Sequence, residues 1–490
     1  LGEVRLTEGC HGYEARYAIS QHAVQRRHAH LQEWDGEPLR TGALVIWGEQ
    51  GVGDEIMFAN AVGDALQRAP SACIECDARL VPLFRRSFPD ARVVAYDDCE
   101  ACQREQAVPT HQIAVGSLMR LFRDEVGKFS AQPRAYLVPA AEKVSRWRAW
   151  LGASGPGLKI GLCWRSGYLS AMRTVNYPDI EECSGLFAYP GIQWVNLQYG
   201  DCEAELQAAE QRFGVRILRP PLDLKDDLDD LAALLLSLDR VISAGTATAQ
   251  LAGAVGARVI CFGLGRPWVL LGQQQPPWYP AMTYLSRPAM GRDWRELLNL
   301  PAVLYRAGDH ARALDLVARH YESVSSDLDG YARLATIEEK AGNQDAMAAL
   351  LEQDCLWGRL GAASKCLLAQ YYASRGWVDP ACELVAEAYA MDAGLKDAYA
   401  RIGWKVFMSG QPATADAILG KDYGLGRITP GWLANYAALK AATGDIEAGR
   451  RMIAACYAGD AGIMDGYSRV AWFGMFFSER REDLLGLFDE

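Results

Sequence analysis

Long apolar runs are what this 490-residue sequence most clearly lacks. Stretches such as Leu231 to Leu238 break on charge far short of the ~20 residues a membrane span needs, so no transmembrane helix is expected. Residues Leu1 to Cys10 hold no basic region leading into an apolar one, so a secretory signal is not expected either. A basic surplus is also missing: 50 Lys and Arg face 61 Asp and Glu, for a net charge of −11. That balance argues against a phosphate-tracking face or adhesion to an anionic membrane, and nucleic acid is not an expected partner. The 13 cysteines are odd in number and too sparse for a disulfide scaffold, which points to a reducing compartment and a cytoplasmic location. Apolar residues are not scarce. They make up 50% of the chain, and at this length they imply several cores and roughly three domains.

From about residue 298 the sequence turns Ala- and Leu-rich with helical spacing. Gly308, Gly342, Gly376, Gly410 and Gly444 then recur every 34 residues, and Ser478 takes the next step. That is the tetratricopeptide period. Five residues after each glycine stand Ala313, Met347, Ala381, Ala415 and Gly449, and seven before the later ones stand Ala335, Ala369, Gly403, Ala437 and Ala471. Small residues are needed where two helices of a hairpin cross closely, and a left-handed glycine ends the first helix without a Cβ clash. Residues 298–490 are therefore expected to form stacked helical hairpins, either presenting a groove to a partner or serving as a spacer.

Earlier in the chain, Ala43 to Trp47 (ALVIW) reads as a buried parallel strand running straight into GEQGVGDE and a helix. Gly48, Gly51 and Gly53 would let backbone approach a ligand, and the helix N-terminus after them favours an anion. A second unit starts at Leu158 (LKIGLCW, then RSG) after the Gly- and Pro-rich linker 152–157. Strand-like segments at Ile192–Leu197, Arg240–Ser243 and Arg258–Phe262 alternate with helical ones, as in a doubly wound sheet. Gly245, Thr246 and Thr248 sit where a helix would begin and suit a diphosphate, or simply cap that helix. The expected fold is α/β plus α: a helical segment 1–40, a Rossmann-like lobe 41–151, a second 158–297, and the repeat array 298–490.

Ten stretches in order carry a family resemblance: GYEARY at 12, WDGEPL at 34, GEQGVGDEIMF at 48, CDARLVPLF at 76, GSLMRLF at 116, IGLCWRSG at 160, WVNLQYGD at 194, DDLDDLAALLLSLDRVIS at 226, TATAQLAGAVG at 246 and PWYPAMTYLSR at 277. Together they resemble the bacterial tetratricopeptide glycosyltransferases, a GT-B group similar to heptosyltransferases and protein O-GlcNAc transferases. The resemblance implies a nucleotide-sugar donor held mostly by the second lobe, an acceptor hydroxyl approaching from the first, and no metal or other cofactor. It implies Asp54 as general base. It places Gly51, Gly53, Arg165, Arg173, Gln198, Gly245, Thr246, Thr248 and Gln250 around the donor. A protein acceptor such as flagellin or another surface protein, recruited by the repeats, is the expected partner, with oligomerisation left open. Family members commonly carry Asp and His where Gly245 and Gln250 stand here, which leaves a silent scaffold as the alternative, alongside transfer to a lipid-linked or capsule glycan.

Rival clusters are weaker. Cys73, Cys76, Cys99 and Cys102 have a zinc-like pairing, but Cys73 and Cys76 lie three apart in a strand and so point to opposite faces. The acidic run Lys225–Asp230 reads as a solvated helix start. His11, His22, His28 and His30 lack ligand spacing and read as surface or interlobe residues. Trp278, Tyr279 and Pro280 could floor the donor cleft or simply pack.

Overall fold

The computed structural model describes residues 5–18, 26–96, 109–129, 134–167, 176–287 and 294–459, with backbone only at 296 and 459. The chain divides into two compact units, Leu1–Leu316 and Val317–Glu490.

The first unit holds two parallel sheets. One contains β1 (Gln32–Glu33), β2 (Ala43–Trp47), β3 (Ala72–Cys76), β4 (Arg92–Ala95) and β5 (Pro109–Ala114), in the order β1-β5-β2-β3-β4. The other contains β6 (Leu158–Cys163), β7 (Ile192–Asn196), β8 (Ile217–Leu218), β9 (Arg240–Ala244), β10 (Val259–Leu264) and β11 (Met282–Arg287), in the order β11-β10-β9-β6-β7-β8. All five residues of β2 are buried, as a parallel strand covered on both faces requires. Segment 1–40 is not wholly helical. After the helix Leu6–Tyr13 it supplies β1, whose backbone pairs with His111 and Gln112 at the sheet edge.

In the second sheet the chain runs outward from β6 to β8, then returns to place β9 on the other side of β6. The carboxyl ends of β6 and β9 therefore form the switch point where such sheets bind ligands. In the first sheet the corresponding point lies between β2 and β5. An aromatic seam joins the lobes: Trp278 packs 4.9 Å from Phe129 and 6.0 Å from Phe58, and Tyr13 lies 6.5 Å from Trp268. The acidic run does start a helix, Leu228–Ser237, and Lys225, Asp226 and Asp227 are exposed, but its last two carboxylates are engaged. Asp229 pairs with Arg86 of the first lobe and with Lys143 at 2.7 Å, while Asp230 meets Lys143 at 2.9 Å and also pairs with Arg146.

The first helical hairpin, Leu300–Arg306 with His310–Ser323, begins within the first unit, so the unit boundary falls later than residue 298. Arg240 of β9, only 6% exposed, binds the carboxylate of Asp309 between those two helices and so ties the hairpin to the second sheet.

In the second unit the described residues form four hairpins: 330–341 with 344–356, 362–374 with 378–391, 398–408 with 412–424, and 430–442 with 446–459. Gly308, Gly342, Gly376, Gly410 and Gly444 take φ of +77° to +93°, so each ends its helix in the left-handed region. A 68-residue period is superimposed on the 34-residue one. The hydroxyl of Tyr321 donates to buried Asp354, which also accepts the Ala332 amide at 2.6 Å; Tyr389, Asp422 and Ala400 repeat the arrangement one double hairpin later. These buried carboxylates cap the helices 330–341 and 398–408, whose own N-cap residues, Asp329 and Asp397, both adopt φ +61° and offer no side-chain cap.

Candidate functional site

The strand β2 ends in the loop Gly48–Gly51, and the helix Val52–Phe58 follows with Gly51 as its N-cap. Asp54 is the third residue of that helix, half-buried, and its carboxylate accepts from the Gly51 amide, one half of a capping box. Burial, aided by the nearby Glu49 charge, raises its pKa above the ordinary carboxylate value, which moves it toward the range where a general base is effective. A Cβ on Gly53 would lie 3.5 Å from the Ala247 Cα, so this loop rests directly on the first turn of the helix Ala247–Ala254 in the second lobe. The two glycine-bearing turns are thus adjacent.

The second-lobe turn is open. Thr246 is the N-cap residue of Ala247–Ala254 but makes no side-chain cap, so the first-turn amides face no protein acceptor from their own cap. Its hydroxyl instead approaches the buried Cys163 Sγ at 3.7 Å. Thr248, 2% exposed, is buried on the same cysteine and does not reach the crevice. Gly245 is exposed with open space beside it. Gly245 and Gln250 line a cavity of about 300 Å³ walled by Tyr177, Phe262, Tyr279 and Tyr284. The Gln250 Oε1 is buried without a hydrogen-bond partner. Of the aromatic trio, Tyr279 lines this cavity while Trp278 belongs to the interlobe seam.

Two of the residues expected around the donor are already engaged by protein groups. The Arg165 guanidinium is held by Glu205 and by the Asp201 carbonyl at 2.9 Å, so its charge is already matched. Gln198, 1% exposed, accepts the Arg165 amide at 3.0 Å and donates to the Tyr199 carbonyl, which fixes the turn after β6. Gln198 also borders a separate polar cavity of about 480 Å³ beyond β7 and β8. Arg173, Cys99, Cys102 and His22 lie outside the described residues. Cys76 packs into the main core and Cys73 against Val94, on opposite faces of β3. Ten described cysteines are free, but Cys73 is disulfide-bonded, so the expectation of uniformly reduced cysteines does not hold at that position.

The strongest polar cluster escaped sequence reasoning. Arg16, of the GYEARY stretch, donates from Nε and Nη2 to Glu49 at 2.8 Å each, and from Nη2 to Ser117 Oγ at 2.8 Å. Glu49 also accepts the Gly116 amide at 3.2 Å. This hub ties together the switch-point turns after β2 and β5 and so sets where Asp54 sits. Beside it, Glu55 is 3% exposed, accepts from Tyr96 and from the Asp77 amide at 2.9 Å, and is pushed up to about 7 by burial. His28, at φ +53°, binds the buried Glu75 at 2.9 Å. The only hint of the hub in sequence is a charge set inside a glycine loop directly after an apolar strand.

Architecture and site define a pair of Rossmann-like lobes that bring a carboxylate-bearing turn against an open helix N-terminus, followed by an array of tetratricopeptide period. No protein-family model matches the sequence. The Protein FlbA of Caulobacter vibrioides is 36% identical over 308 residues, which are 59% of this chain and 52% of that protein, so the chain spans about half the length of this curated relative. Among solved structures, a glycosyl transferase family 9 protein from Veillonella parvula DSM 2008 matches 50% of this chain and 86% of its own at 10% identity and TM-score 0.37. The E. coli ADP-heptose LPS heptosyltransferase II matches 55% of this chain and 100% of its own at 14% identity and TM-score 0.40. A thermophilic TPR protein of Thermus thermophilus matches 36% and 96% respectively at 20% identity and TM-score 0.25. Among the described residues no helix is long and apolar enough to cross a membrane.

Proposed function

We propose that the chain transfers a sugar from a nucleotide-diphosphate donor to an acceptor hydroxyl. The observation that carries this reading is the contact of Gly53 with Ala247, which sets the Asp54 carboxylate beside an uncapped helix N-terminus and the 300 Å³ cavity. The aromatic cavity takes the nucleoside, and the unpartnered Gln250 Oε1 accepts from it. The first-turn amides from Ala247 onward neutralise charge on the leaving diphosphate. Asp54 withdraws the acceptor proton as the glycosidic bond forms. The acceptor is a protein, flagellin or another surface protein, engaged by the helical array; the sugar is a hexose or heptose.

The test is turnover of nucleotide sugars by wild type and Asp54→Asn. General-base loss should cut turnover by about 10² to 10⁴ while donor affinity holds. Because the Asn amide oxygen can still accept from the Gly51 amide, near-normal turnover in the variant would reduce Asp54 to one half of a capping box. The neutralised Arg165 favours a second reading, a silent scaffold that binds nucleotide without turning it over. Equal inactivity of both proteins, with nucleotide affinity intact, would establish that one.

A further inference from the structure

At the amino ends of β9, β10 and β11, on the edge of the second sheet opposite the switch point, lies a cavity of about 370 Å³. Arg134, Arg240, Arg258 and Asp309 line it. Arg240 is 6% exposed; one terminal nitrogen binds Asp309, the other donates to the Asp239 carbonyl at 3.0 Å, and its Nε is buried with no partner. The side chains of Arg134 and Arg258 are exposed and make no hydrogen bond or ion pair among the described residues. Arg312 adds a fourth cation, 3.2 Å from Asp309 and 3.9 Å from Asp239.

Three guanidinium groups thus line the hollow against one carboxylate, an excess of two positive charges, while Arg312 and Asp239 behind it add one charge of each sign. Like charges gathered around one hollow repel one another, and a buried donor is ordinarily paired, since leaving one unmade costs more than a bond is worth. Both costs occur at the same place. The Arg240 guanidinium also feels its neighbours: burial, together with Arg258 and Arg312, lowers its pKa against the opposing pull of Asp309. An added anion would relieve each of these costs together.

We propose that this cavity is a second ligand site, distinct from the donor crevice, and that it takes a small phosphate monoester such as a sugar phosphate. A phosphate monoester carries about −1.5 to −2 near neutral pH, which matches the excess charge, and planar guanidinium forks suit its oxygens. A hollow of this size holds a hexose phosphate and not merely an ion. Asp309 marks the inner end of the site, where it already satisfies one arm of Arg240, so the phosphate lies toward Arg134 and Arg258.

The experiment is calorimetric titration of the full chain with inorganic phosphate and with glucose 1-phosphate, against chloride at matched ionic strength. Wild type should bind one equivalent of each, and glucose 1-phosphate at least as tightly. The double variant Arg134→Ala/Arg258→Ala, made at two exposed positions whose side chains make no hydrogen bond or ion pair among the described residues, should bind both about tenfold or more weakly, with nucleoside diphosphate affinity unchanged. Arg258→Lys, which keeps the charge, should recover part of the loss. Absence of binding above the chloride control, or undiminished binding in the double variant, overturns the site. Weaker binding of glucose 1-phosphate than of phosphate overturns the monoester assignment.

Discussion

Breaking the Arg16–Glu49 pair is the sharpest test of how the first-lobe turn is held. The Glu49 side chain is fully buried and that of Arg16 is 7% exposed. Removing one partner of a buried pair typically costs about 3 to 5 kcal/mol, because the other charge is stranded. The two single variants should fall at opposite ends of that range. In Glu49→Ala the guanidinium keeps Glu14 at 3.1 Å, the Tyr17 hydroxyl at 2.6 Å and Ser117, so the loss should be about 3 kcal/mol. In Arg16→Ala the Glu49 carboxylate keeps, among the described residues, only the Gly116 amide, so the loss should be about 5 kcal/mol. The double variant Arg16→Met/Glu49→Leu leaves no stranded charge and should cost less than the sum of the singles by about 1 to 3 kcal/mol. Urea unfolding followed by tryptophan fluorescence measures all three. Turnover should fall in the singles before global unfolding, since the turn that carries Asp54 loosens first. Single losses under about 1 kcal/mol, typical of an exposed pair, or strict additivity in the double, would refute the reasoning.

Two further outcomes follow from particular residues. Glu55 has its folded-state pKa raised to about 7 from an ordinary 4.5, so its contribution is fully present below 4.5 and is lost as pH rises through about 7. Stability should therefore decline across that window, and Glu55→Gln should flatten the decline; an unchanged slope in pH-dependent thermal melts would remove Glu55 as its source. A chain ending after Ser323 should fold and bind nucleotide like the full protein, whereas one ending at residue 297 loses Asp309 and strands buried Arg240, at a cost of about 3 to 5 kcal/mol. Equal melting temperatures for the two truncations would contradict that account.

What could be read in the sequence was local. Gly342 ends its helix because only a residue without Cβ takes φ +83° freely, and that demand repeats with each hairpin, so the period shows in one dimension. The apolar run of β2 is likewise a direct consequence of burial on both faces. The 68-residue period was hidden because the intervening repeat carries Ala363 and Ala388 where Asp329, Asp397, Asp354 and Asp422 stand. Partnerships across the chain were hidden for a different reason. Arg16 and Glu49 are 33 residues apart and Arg165 and Glu205 are 40 apart, so nothing in either segment announces the other. For the same reason the engagement of Arg165 by Glu205 and of Gln198 by the Arg165 amide could not be read beside the donor roles that the resemblance implies for them. At Asp54 and Thr246 the glycine turns gave the position correctly as loop-to-helix junctions, while their mutual contact came only from packing.

The distribution of unrelieved costs bears on whether the crevice works or is a relic. Burial raises the Asp54 pKa, so keeping that side chain ionised at neutral pH opposes folding, and an asparagine oxygen could accept from the Gly51 amide without the penalty. Gln250 places a buried acceptor where an apolar side chain would pack at no such cost. Thr246 stands at an N-cap position yet spends its hydroxyl on Cys163, which leaves the amides ahead of it open. Each departure could be removed by a single conservative change, and all three lie around one junction between the lobes. Local rules broken together at one place, with no gain to stability, are what a binding crevice requires and what a purely architectural pair of lobes has no reason to keep. Under the proposed function, Gly245 and Gln250 therefore count as a change in what the crevice would recognise and not as its loss.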